Sequence, residues 1–400
     1  MSSGMLRSAL ILGLLVCVGP LAIDMYLPAL PAIAADLGSS VGAVQMTLTL
    51  YFLAFGIAQL VYGPIADQVG RKPPLYFGLG IFIAGSLGCV FAPTIEWLTF
   101  ARFVQGVGGA VVMVVPRAII RDLHTGVAAT RLMAMIMLVI SISPMLAPLA
   151  GSGLILVAGW RAIFALLAGA AILSLLMTGF ILPETLNKEN RVPFNANTFM
   201  RGTKVLLSDG GFLCLTFIGG FGMASFFVFI ASASFVYTGQ FGLSPTEFSL
   251  AFAFNAVGFF SASQAAATIG QRIGMTKMVS LAVSGFSLFT LILLALTLSG
   301  FGELYVIIGL LFLGNACLGL VIPTTMVMAL DNHGDIAGLA SSLGGTIQMV
   351  TGGIMIALAS PFFNGTATPM VATIALCGLA ALVLSRLLVR LPVSDPSAAE

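Results

Sequence analysis

The sequence is poor in charged residues: Asp, Glu, Lys and Arg together make up 8% of its 400 residues, whereas a soluble domain carries about 25%. Hydrophobic residues account for 59% of the chain. A chain with so few charges cannot cover the surface of a sizeable soluble domain with polar groups. We therefore predict a protein that crosses the lipid bilayer many times.

Groups that carry out common chemistry are also missing. The sequence has no G-x-x-x-x-G-K-[ST] phosphate-binding motif, which argues against an ATP-driven pump on this chain. Its five cysteines lie inside apolar runs without metal or redox spacing, and His124 and His333 fall in predicted loops far apart in the chain. We expect no metal, no cofactor and no catalytic residues. The lack of a basic aromatic surface argues against nucleic acid as a partner.

What the sequence does contain is a series of apolar segments long enough to span a bilayer, which takes about 20 residues of helix. We predict twelve such spans, which place both termini on the same side of the membrane. Numbered in chain order, the spans cover residues 7–34, 42–66, 74–93, 97–120, 131–158, 161–182, 209–237, 245–269, 275–298, 302–330, 337–363 and 367–390.

The charges at the ends of these spans differ between the two sides. One side has nearly all of the Lys and Arg residues, including Arg71 and Arg386. The other side has acidic residues such as Asp36 and Glu303, with Arg161 as its one positive charge. Basic residues concentrate on the cytoplasmic side of membrane proteins. We therefore predict that both termini are cytoplasmic and that the side of Asp36 faces outward.

The longest polar stretch, at about residues 185–210, follows the sixth span and divides the chain into two halves. A faint repeat supports this division, because the loop at residues 63–75 resembles the loop at residues 269–281. Arg201 and Lys204 beside apolar residues fit either a short helix on the inner membrane face or a flexible linker. The predicted domains are an N-terminal six-helix bundle at 1–186, a cytoplasmic linker at 187–208, a C-terminal six-helix bundle at 209–391 and a disordered tail at 392–400.

Asp24 places a carboxylate inside the first span rather than beside it. A helix that begins near Arg7 rises about 1.5 Å per residue, so Asp24 lies in the outer half of a bilayer core about 30 Å thick. A charge at that depth costs about 2.5–3.5 kcal/mol on insertion scales. Either Asp24 sits at a helix end and reaches water, or it is a proton-carrying site that faces a central cavity.

Arg102 is a second charge within a span. Span 4 begins on the outer side near Trp97, so Arg102 lies at a depth close to that of Asp24. Two such charges are less costly if they share an aqueous cavity, where Gln105, one turn further on, can bond to the same site. The alternative is that Arg102 extends to the outer surface.

The loop between spans 2 and 3 combines glycines with charged residues. The glycines permit a tight turn and close helix approach. The charged side chains can form a cluster that locks one conformation and breaks in another, with Asp122 as a further partner for Arg71. The alternative is a solvated loop on the positive side. The predicted gate comprises Gly63, Asp67, Gly70, Arg71, Lys72 and Asp122, of which the first five form the pattern G-x-x-x-D-x-x-G-R-K.

This loop pattern resembles the signature of the major facilitator superfamily. The segment from Arg102 to Gly106 resembles the R-x-x-Q-G motif in the fourth span of that family. The segment 141–151, with Pro148 and Gly151, resembles a degenerate antiporter motif from the fifth span of drug exporters, although small-residue packing alone would also explain it. The resemblance implies an all-α membrane protein with twelve transmembrane helices in two pseudo-symmetric six-helix bundles.

Three further segments, residues 23–31, 159–161 and 182–186, resemble the bicyclomycin- and chloramphenicol-resistance (Bcr/CflA) branch of the twelve-span drug:proton antiporters. Some relatives have a second acidic residue two turns before Asp24, where this chain has Val16. The resemblance implies a monomer in the bacterial inner membrane that exports small antibiotics against protons by alternating access. The alternatives are a proton-coupled metabolite or sugar transporter of the same fold, and a membrane-embedded receptor or enzyme.

The predicted proton-coupling residues are Asp24 and Arg102. Aromatic walls with a few polar groups suit amphipathic ligands, so aromatic and lone amide side chains at membrane depth are candidates for the substrate site. Contact with lipid, for a phenylalanine, and contact between helices, for an amide, are the alternatives. The predicted substrate-binding residues are Asp24, Tyr26, Tyr51, Arg102, Gln105, Ile142, Met145, Phe226, Asn255, Phe259 and Gln348.

Overall fold

The described chain is almost entirely helical. The residues described by the computed structural model are 3–123, 126–331 and 333–388. Their side chains are described too, apart from those of residues 3–10, 126–131, 133–139 and 141. His124 and the predicted tail at 392–400 lie outside the described residues.

The first six spans follow the predicted order, but spans 1 and 4 are each divided into two helices. Their bounds are Ser3–Asp24 and Leu30–Asp36 for span 1, Val41–Val69 for span 2, Lys72–Val90 for span 3, Ile95–Gly109 and Val111–Leu123 for span 4, Gly126–Ala158 for span 5, and Arg161–Phe180 for span 6.

The last six spans also lie where the apolar pattern predicts them. Their bounds are Gly210–Phe235 for span 7, Pro245–Ile273 for span 8, Met275–Leu298 for span 9, Leu304–Asp331 for span 10, Ala337–Ala359 for span 11 and Ala367–Leu388 for span 12. Within the described residues, eleven spans are long and apolar enough to cross a bilayer. Span 5 contributes the shorter apolar helix Ile142–Ala158.

Two glycines mark equivalent places in the two halves. Gly70 ends span 2 with φ +104°, and Gly274 ends span 8 with φ +88°. Glycine adopts these positive φ values without the strain that a Cβ atom brings. Each glycine therefore stops one span and lets the next begin within two residues, at the positions paired in the sequence repeat.

The linker between the halves forms a helix rather than a wholly flexible connection. A 3₁₀ turn at Lys188–Asn190 precedes the helix Ala196–Ser208. Gly202 of this helix lies against Leu339 of span 11, and Leu206 is buried with Phe212 at the start of span 7. The linker helix thus packs on the second half of the chain.

The two halves meet mainly along two pairs of spans, span 2 with span 11 and span 5 with span 8, and span 7 also contacts spans 1 and 2. We name the end of the molecule near Asp36 and Glu303 the acidic end, and the end near Arg71 and Arg386 the basic end. Gln45 of span 2 donates to the carbonyl of Ala231 and to Ser232 Oγ, both at 3.2 Å, and these contacts lie toward the acidic end.

Two further hydrogen bonds join the halves. Ser249 Oγ of span 8 donates to the carbonyl of Pro148 of span 5 at 3.0 Å, and Thr346 Oγ1 of span 11 donates to the carbonyl of Gly56, halfway along span 2, at 2.6 Å. Within the described residues, no hydrogen bond joins spans 1–6 directly to spans 7–12 at the basic end. Hydrogen bonds therefore join the two halves toward the acidic end and at mid-depth.

Candidate functional site

The first span breaks directly after Asp24. The α-helix Ser3–Asp24 ends there, a 3₁₀ turn follows at Leu27–Ala29, and a second helix begins at Leu30. Pro28 and Pro31 have no backbone N–H and cannot continue the α-helical hydrogen bonds, which explains the break. An ionisable side chain thus lies beside irregular backbone, which is tolerated inside a membrane only where protein or a cavity covers it.

Asp24 is buried, with 4% of its surface exposed. Its carboxylate accepts a hydrogen bond from Ser143 Oγ of span 5 at 3.2 Å. Close to the break, span 5 has Gly151, where an added Cβ atom would lie 2.3 Å from the carbonyl oxygen of Met25. Span 5 therefore contacts span 1 on both the side chain of Asp24 and the backbone of the next residue.

Arg102 is completely buried. Its Nη1 donates to the carbonyl of Ala22 at 3.1 Å and to Gln105 Oε1, while Nε and Nη2 have no partner among the described residues. The guanidinium carbon lies 4.1 Å from the ring centre of Tyr51 and 4.6 Å from that of Tyr26. Such cation–π contacts stabilise a desolvated guanidinium by about 2 kcal/mol.

Polar side chains extend this cluster into spans 2 and 3. Gln105 Nε2 donates to Ser86 Oγ at 2.8 Å, so Gln105 connects Arg102 to span 3. The Tyr26 hydroxyl shares a 2.8 Å hydrogen bond with Thr47 Oγ1 of span 2. The predicted residues Tyr26, Tyr51, Arg102 and Gln105 are thus brought together.

Asp24 and Arg102 do not form an ion pair in the part of the chain that the structure describes. Within the described residues, Asp24 has no cationic nitrogen within 4.0 Å. Arg102 instead reaches the backbone of Ala22, two residues before Asp24. The carboxylate can therefore change its charge without breaking a direct bond to the guanidinium.

An aromatic array connects this cluster to the second half of the chain. Tyr51 contacts Phe52 edge-on at 5.9 Å between ring centres, and Phe52 stacks on Phe227 of span 7 at 3.9 Å. Phe226 contacts Phe227 at 6.5 Å and stacks on Phe259 of span 8 at 6.1 Å between ring centres. The predicted residues Phe226 and Phe259 thus lie together, and Phe52 joins them to the Arg102 cluster.

The other predicted substrate-binding residues have different surroundings. Asn255 accepts from Asn315 Nδ2 of span 10 at 3.3 Å and donates to the carbonyl of Ala251 at 3.1 Å, as a contact between helices would. Gln348 is buried, and its Nε2 has no partner among the described residues. Ile142 is 40% exposed and Met145 is half-buried, on either side of Ser143 in sequence.

Five of the six predicted gate residues lie together at the basic end around Arg71, whereas Gly63 lies further back in span 2, near Val114 of span 4. Arg71 Nη1 lies 2.5 Å from Asp67 Oδ1, and its Nε and Nη2 bond to the two carboxylate oxygens of Asp122 at 2.8 and 3.2 Å. Burial lowers the pKa of Arg71, but the bonds to Asp122 and Asp67 outweigh burial and raise its pKa above the ordinary value. Arg71 therefore joins the end of span 2 to the end of span 4.

Glu184, which follows span 6, completes the gate cluster. Its carboxylate accepts from the backbone N–H groups of Arg71 at 2.8 Å and Lys72 at 3.1 Å, at the start of span 3. Thr185 Oγ1 donates to Asp122 at 2.9 Å, and the Val192 N–H donates to the carbonyl of Asp67 at 3.1 Å. The beginning of the linker is thus bound to the cluster around Arg71.

Sequence reasoning did not identify Ser143, Phe52 or Glu184 as site residues. Two of them lie in segments that resemble family motifs. Ser143 lies in the antiporter-like segment, and Glu184 lies in the L-P-E-T-L segment after span 6. Their partners lie 119 and 113 residues away in the chain, so spacing alone does not pair them. Within the described residues, no group of three or more His, Cys, Asp or Glu residues could hold a metal ion.

Comparisons with known proteins give a consistent result. The family model described as Major Facilitator Superfamily matches residues 12–357. The chain is 34% identical over 367 residues to the uncharacterized MFS-type transporter YdgK of Bacillus subtilis, covering 91% of both chains. It is 32% identical over 370 residues to the bicyclomycin resistance protein homolog of Haemophilus influenzae, covering 92% of both.

A solved structure shares the fold. The D-xylose–proton symporter matches with a TM-score of 0.73 over 95% of this chain and 96% of the symporter, at 15% sequence identity. Together with the helices described above, this match confirms the expected fold of twelve transmembrane helices in two six-helix bundles.

Proposed function

The chain is a member of the Major Facilitator Superfamily, and from that premise we propose that it exports small antibiotics in exchange for protons by alternating access. The relative from Haemophilus influenzae, named for bicyclomycin resistance, supports bicyclomycin-like molecules as substrates, and phenicol-like molecules are the second class that we propose. The protein acts as a monomer in the bacterial inner membrane. Its basic end and both termini face the cytoplasm, in keeping with the distribution of Lys and Arg.

The surroundings of Asp24 are the main observation in support of this proposal. Its carboxylate is buried beside the break in span 1, has a hydroxyl donor in Ser143 and, within the described residues, has no cation at ion-pair distance. Burial and a hydrogen-bond donor act in opposite directions on the protonation of a carboxyl group. A group held between these two effects is suited to take up and release a proton within one transport cycle.

The transport cycle follows from two charge states of this one group. When the acidic end is open, Asp24 takes up a proton and the drug leaves. When the basic end is open, Asp24 releases the proton and the drug binds beside Arg102, Gln105 and the aromatic array. The described conformation, in which the halves are fastened toward the acidic end, belongs to the part of the cycle that exchanges with the cytoplasm.

One proton per cycle supplies enough free energy for useful export. A membrane potential of about 100 mV contributes about 2.3 kcal/mol for each charge moved, and one pH unit contributes about 1.4 kcal/mol. Their sum of about 3.7 kcal/mol sustains roughly a 500-fold gradient of a neutral drug, since about 1.36 kcal/mol corresponds to a factor of ten. The presence of Val16 where some relatives have a second acid is therefore compatible with antiport.

The cluster around Arg71 acts as the gate at the basic end. Its bonds to Asp67 and Asp122 hold the ends of spans 2 and 4 together, and Glu184 connects span 3 to the linker. We assign the stability of one conformation of the basic end to this cluster. Lys72 and Gly70 belong to the same cluster, with Gly70 providing the turn, and Gly63 lies nearer the middle of span 2, near Val114 of span 4.

The test uses purified protein in liposomes that contain a pH-sensitive dye. Addition of chloramphenicol or bicyclomycin should move protons in the wild type, and Asp24→Asn should abolish this movement while retaining expression and thermal stability. Asp36→Asn is the matched control, because Asp36 forms an exposed ion pair with Arg161 at the acidic end and such pairs contribute about 0–1 kcal/mol. Full drug-dependent proton movement in Asp24→Asn would refute the proposal.

The same liposomes separate drug export from metabolite transport. Sugars and amino acids replace the antibiotics, with the same dye and the same Asp24→Asn comparison. Proton movement with a sugar or an amino acid, and none with any antibiotic, would show that the substrate is a metabolite and not a drug. Absence of proton-linked flux with every solute would favour a receptor or an enzyme.

A further inference from the structure

Ser143 directs its hydroxyl away from its own helix. A serine within a helix commonly donates to the carbonyl three or four residues earlier, and Ser152 of the same span does so, bonding to Leu149 at 2.8 Å. Ser143 instead donates to the carboxylate of Asp24 in span 1 at 3.2 Å, and 5% of the surface of Ser143 is exposed. Among the described side chains, Ser143 is the hydrogen-bond donor to this carboxylate.

The backbone around this contact allows spans 1 and 5 to approach each other closely. Gly151, two turns beyond Ser143, lets span 5 lie against the carbonyl of Met25, so spans 1 and 5 are held together directly beside Asp24. Pro144 follows Ser143 and lacks an N–H, which leaves a carbonyl in the preceding turn without its usual helical donor. The position of Ser143 is therefore set by tight packing on one side and irregular hydrogen bonding on the other.

A hydroxyl distinguishes the two charge states of a carboxyl group. An ionised carboxylate only accepts hydrogen bonds, and a bond to a charged acceptor is about twice as strong as a neutral one. A protonated carboxyl also donates, so it can turn its O–H toward another acceptor and loses less if Ser143 is absent. The contact between Ser143 and Asp24 therefore favours the ionised state selectively.

The other ionisable groups around Asp24 do not replace this contact. Cys17 lies on the same span, Tyr51 is on span 2, and Arg102 on span 4 reaches the carbonyl of Ala22. Within the described residues, none of these three groups donates a hydrogen bond to the carboxylate. A change at Ser143 thus alters the one short-range donor while leaving the more distant charges in place.

We propose that Ser143 is a positioning residue for proton exchange, whose hydroxyl holds the ionised Asp24 carboxylate against span 5 and sets the pH at which this carboxylate takes up its proton. The inference rests on the proposed function, because Asp24 must exchange protons for Ser143 to have this role. It also assigns a function to the antiporter-like segment of span 5, namely to bring a hydroxyl donor to the proton site.

The test is an infrared pH titration of purified full-length protein in lipid. The band of the protonated Asp24 carboxyl is identified by its absence in Asp24→Asn. In Ser143→Ala the midpoint of this band should move to higher pH by about one unit, because the donor that stabilises the ionised form is lost; this is a tenfold rise in proton affinity. Ser143→Thr, which keeps a hydroxyl, should titrate close to the wild type.

Ser152→Ala is the matched control, since it removes a buried hydroxyl from the same span without a contact to Asp24. The pH dependence of drug-driven proton movement in liposomes should shift with the infrared midpoint in Ser143→Ala and stay unchanged in Ser152→Ala. Equal midpoints for Ser143→Ala and the wild type would overturn the role of Ser143. Equal shifts in the two alanine variants would overturn it as well, because the effect would then come from packing.

These outcomes separate the inference from the proposed function. If the wild type shows no drug-dependent proton movement, the proposed function fails whatever the infrared midpoints are. If the wild type transports and depends on Asp24, while Ser143→Ala has the midpoint of the wild type, the inference alone fails. Thermal unfolding of each variant identifies any loss of fold, and Ser143→Thr provides a second reading at the same position.

Discussion

Gly151 and Gly153 lie two residues apart in span 5 and meet different surroundings. A Cβ atom at Gly151 would lie 2.3 Å from the carbonyl oxygen of Met25 and 3.0 Å from its carbonyl carbon, whereas a Cβ at Gly153 would meet nothing within 4 Å. Met25 directly follows Asp24 at the break of span 1. The missing side chain at Gly151 therefore determines how closely span 5 approaches the backbone beside Asp24.

Replacement of these glycines by alanine should separate the effect of packing between spans 1 and 5 from the effect of helix propensity. Gly151→Ala forces spans 1 and 5 apart, and overpacking of this kind destabilises proteins by about 1–3 kcal/mol. We expect a lower thermal unfolding temperature and reduced drug export. Gly153→Ala should leave export unchanged and stability equal or higher, since alanine favours a helix by about 1 kcal/mol over glycine.

Thermal unfolding in detergent and efflux in a pump-deleted host measure the two effects. Equal behaviour of the two variants would show that the approach of span 5 to Met25 does not matter for transport. Because Ser143 is on the same span, Gly151→Ala should also weaken the hydrogen bond to Asp24 and shift the pH dependence of export in the direction expected for Ser143→Ala.

At the scale of elements, the start of span 3 depends on a carboxylate that follows span 6, 113 residues further along the chain. The first N–H groups of a helix have no partner within the helix, and Glu184 accepts from two of them, those of Arg71 and Lys72. Partial burial raises the pKa of Glu184, but its three backbone N–H donors and the nearby Arg191 outweigh burial and hold the pKa below its ordinary value. A lowered pKa means that folding favours the ionised form.

This linkage predicts how acid acts on the cluster around Arg71. A group whose pKa is lowered by folding contributes stability above its unfolded-state value of about 4.3, and the contribution is lost as the pH falls through the lower folded-state value. Glu184→Gln should therefore be less stable than the wild type at pH 7, and the difference should shrink as the pH falls below about 4.

Thermal unfolding from pH 7 to pH 3 measures this difference, with Glu189→Gln, an exposed linker residue, as the control. Glu189→Gln should follow the wild type at every pH. If the thermal stability of Glu184→Gln stays below that of the wild type by the same amount down to pH 3, the loss comes from disturbed packing by the amide. It does not then come from the missing charge at the helix end.

The elements themselves were largely predictable from the sequence. Span 9 was predicted at 275–298 and is Met275–Leu298, because a long apolar run between polar ends leaves little choice of position. The break after Asp24 was not predicted, since apolar residues continue on both sides of it. The contacts of Ser143 with Asp24 and of Glu184 with span 3 were not predictable either, because packing across distant spans determines them.

At the scale of the whole molecule, few polar contacts hold the two halves together toward the acidic end. Gln45 donates to the carbonyl of Ala231 and to Ser232, and Ser249 donates to the carbonyl of Pro148. Each such hydrogen bond contributes about 0.5–1.5 kcal/mol. The balance between the two open states of an alternating-access transporter therefore depends on interactions small enough to be broken in each cycle.

Gln45→Ala should shift this balance toward the state open at the acidic end. The variant loses both bonds to span 7, so we expect faster amide hydrogen exchange at the acidic end of span 7 and slower exchange near Arg71 at the basic end. A loss of about 1 kcal/mol corresponds to roughly a fivefold change in the ratio of the two states. Hydrogen–deuterium exchange detected by mass spectrometry measures both ends of the molecule in one experiment.

Ser40→Ala provides the comparison, because Ser40 also lies at the start of span 2 and its side chain accepts from the Ala43 N–H within its own helix turn. Its effect should stay in the first turn of span 2, since losing such a cap destabilises a helix end by about 1 kcal/mol without reaching the other half. If Gln45→Ala likewise changes exchange in span 2 alone, its bonds to span 7 do not control closure. Faster exchange in span 7 together with slower exchange near Arg71 would place the control of closure in the contact between spans 2 and 7.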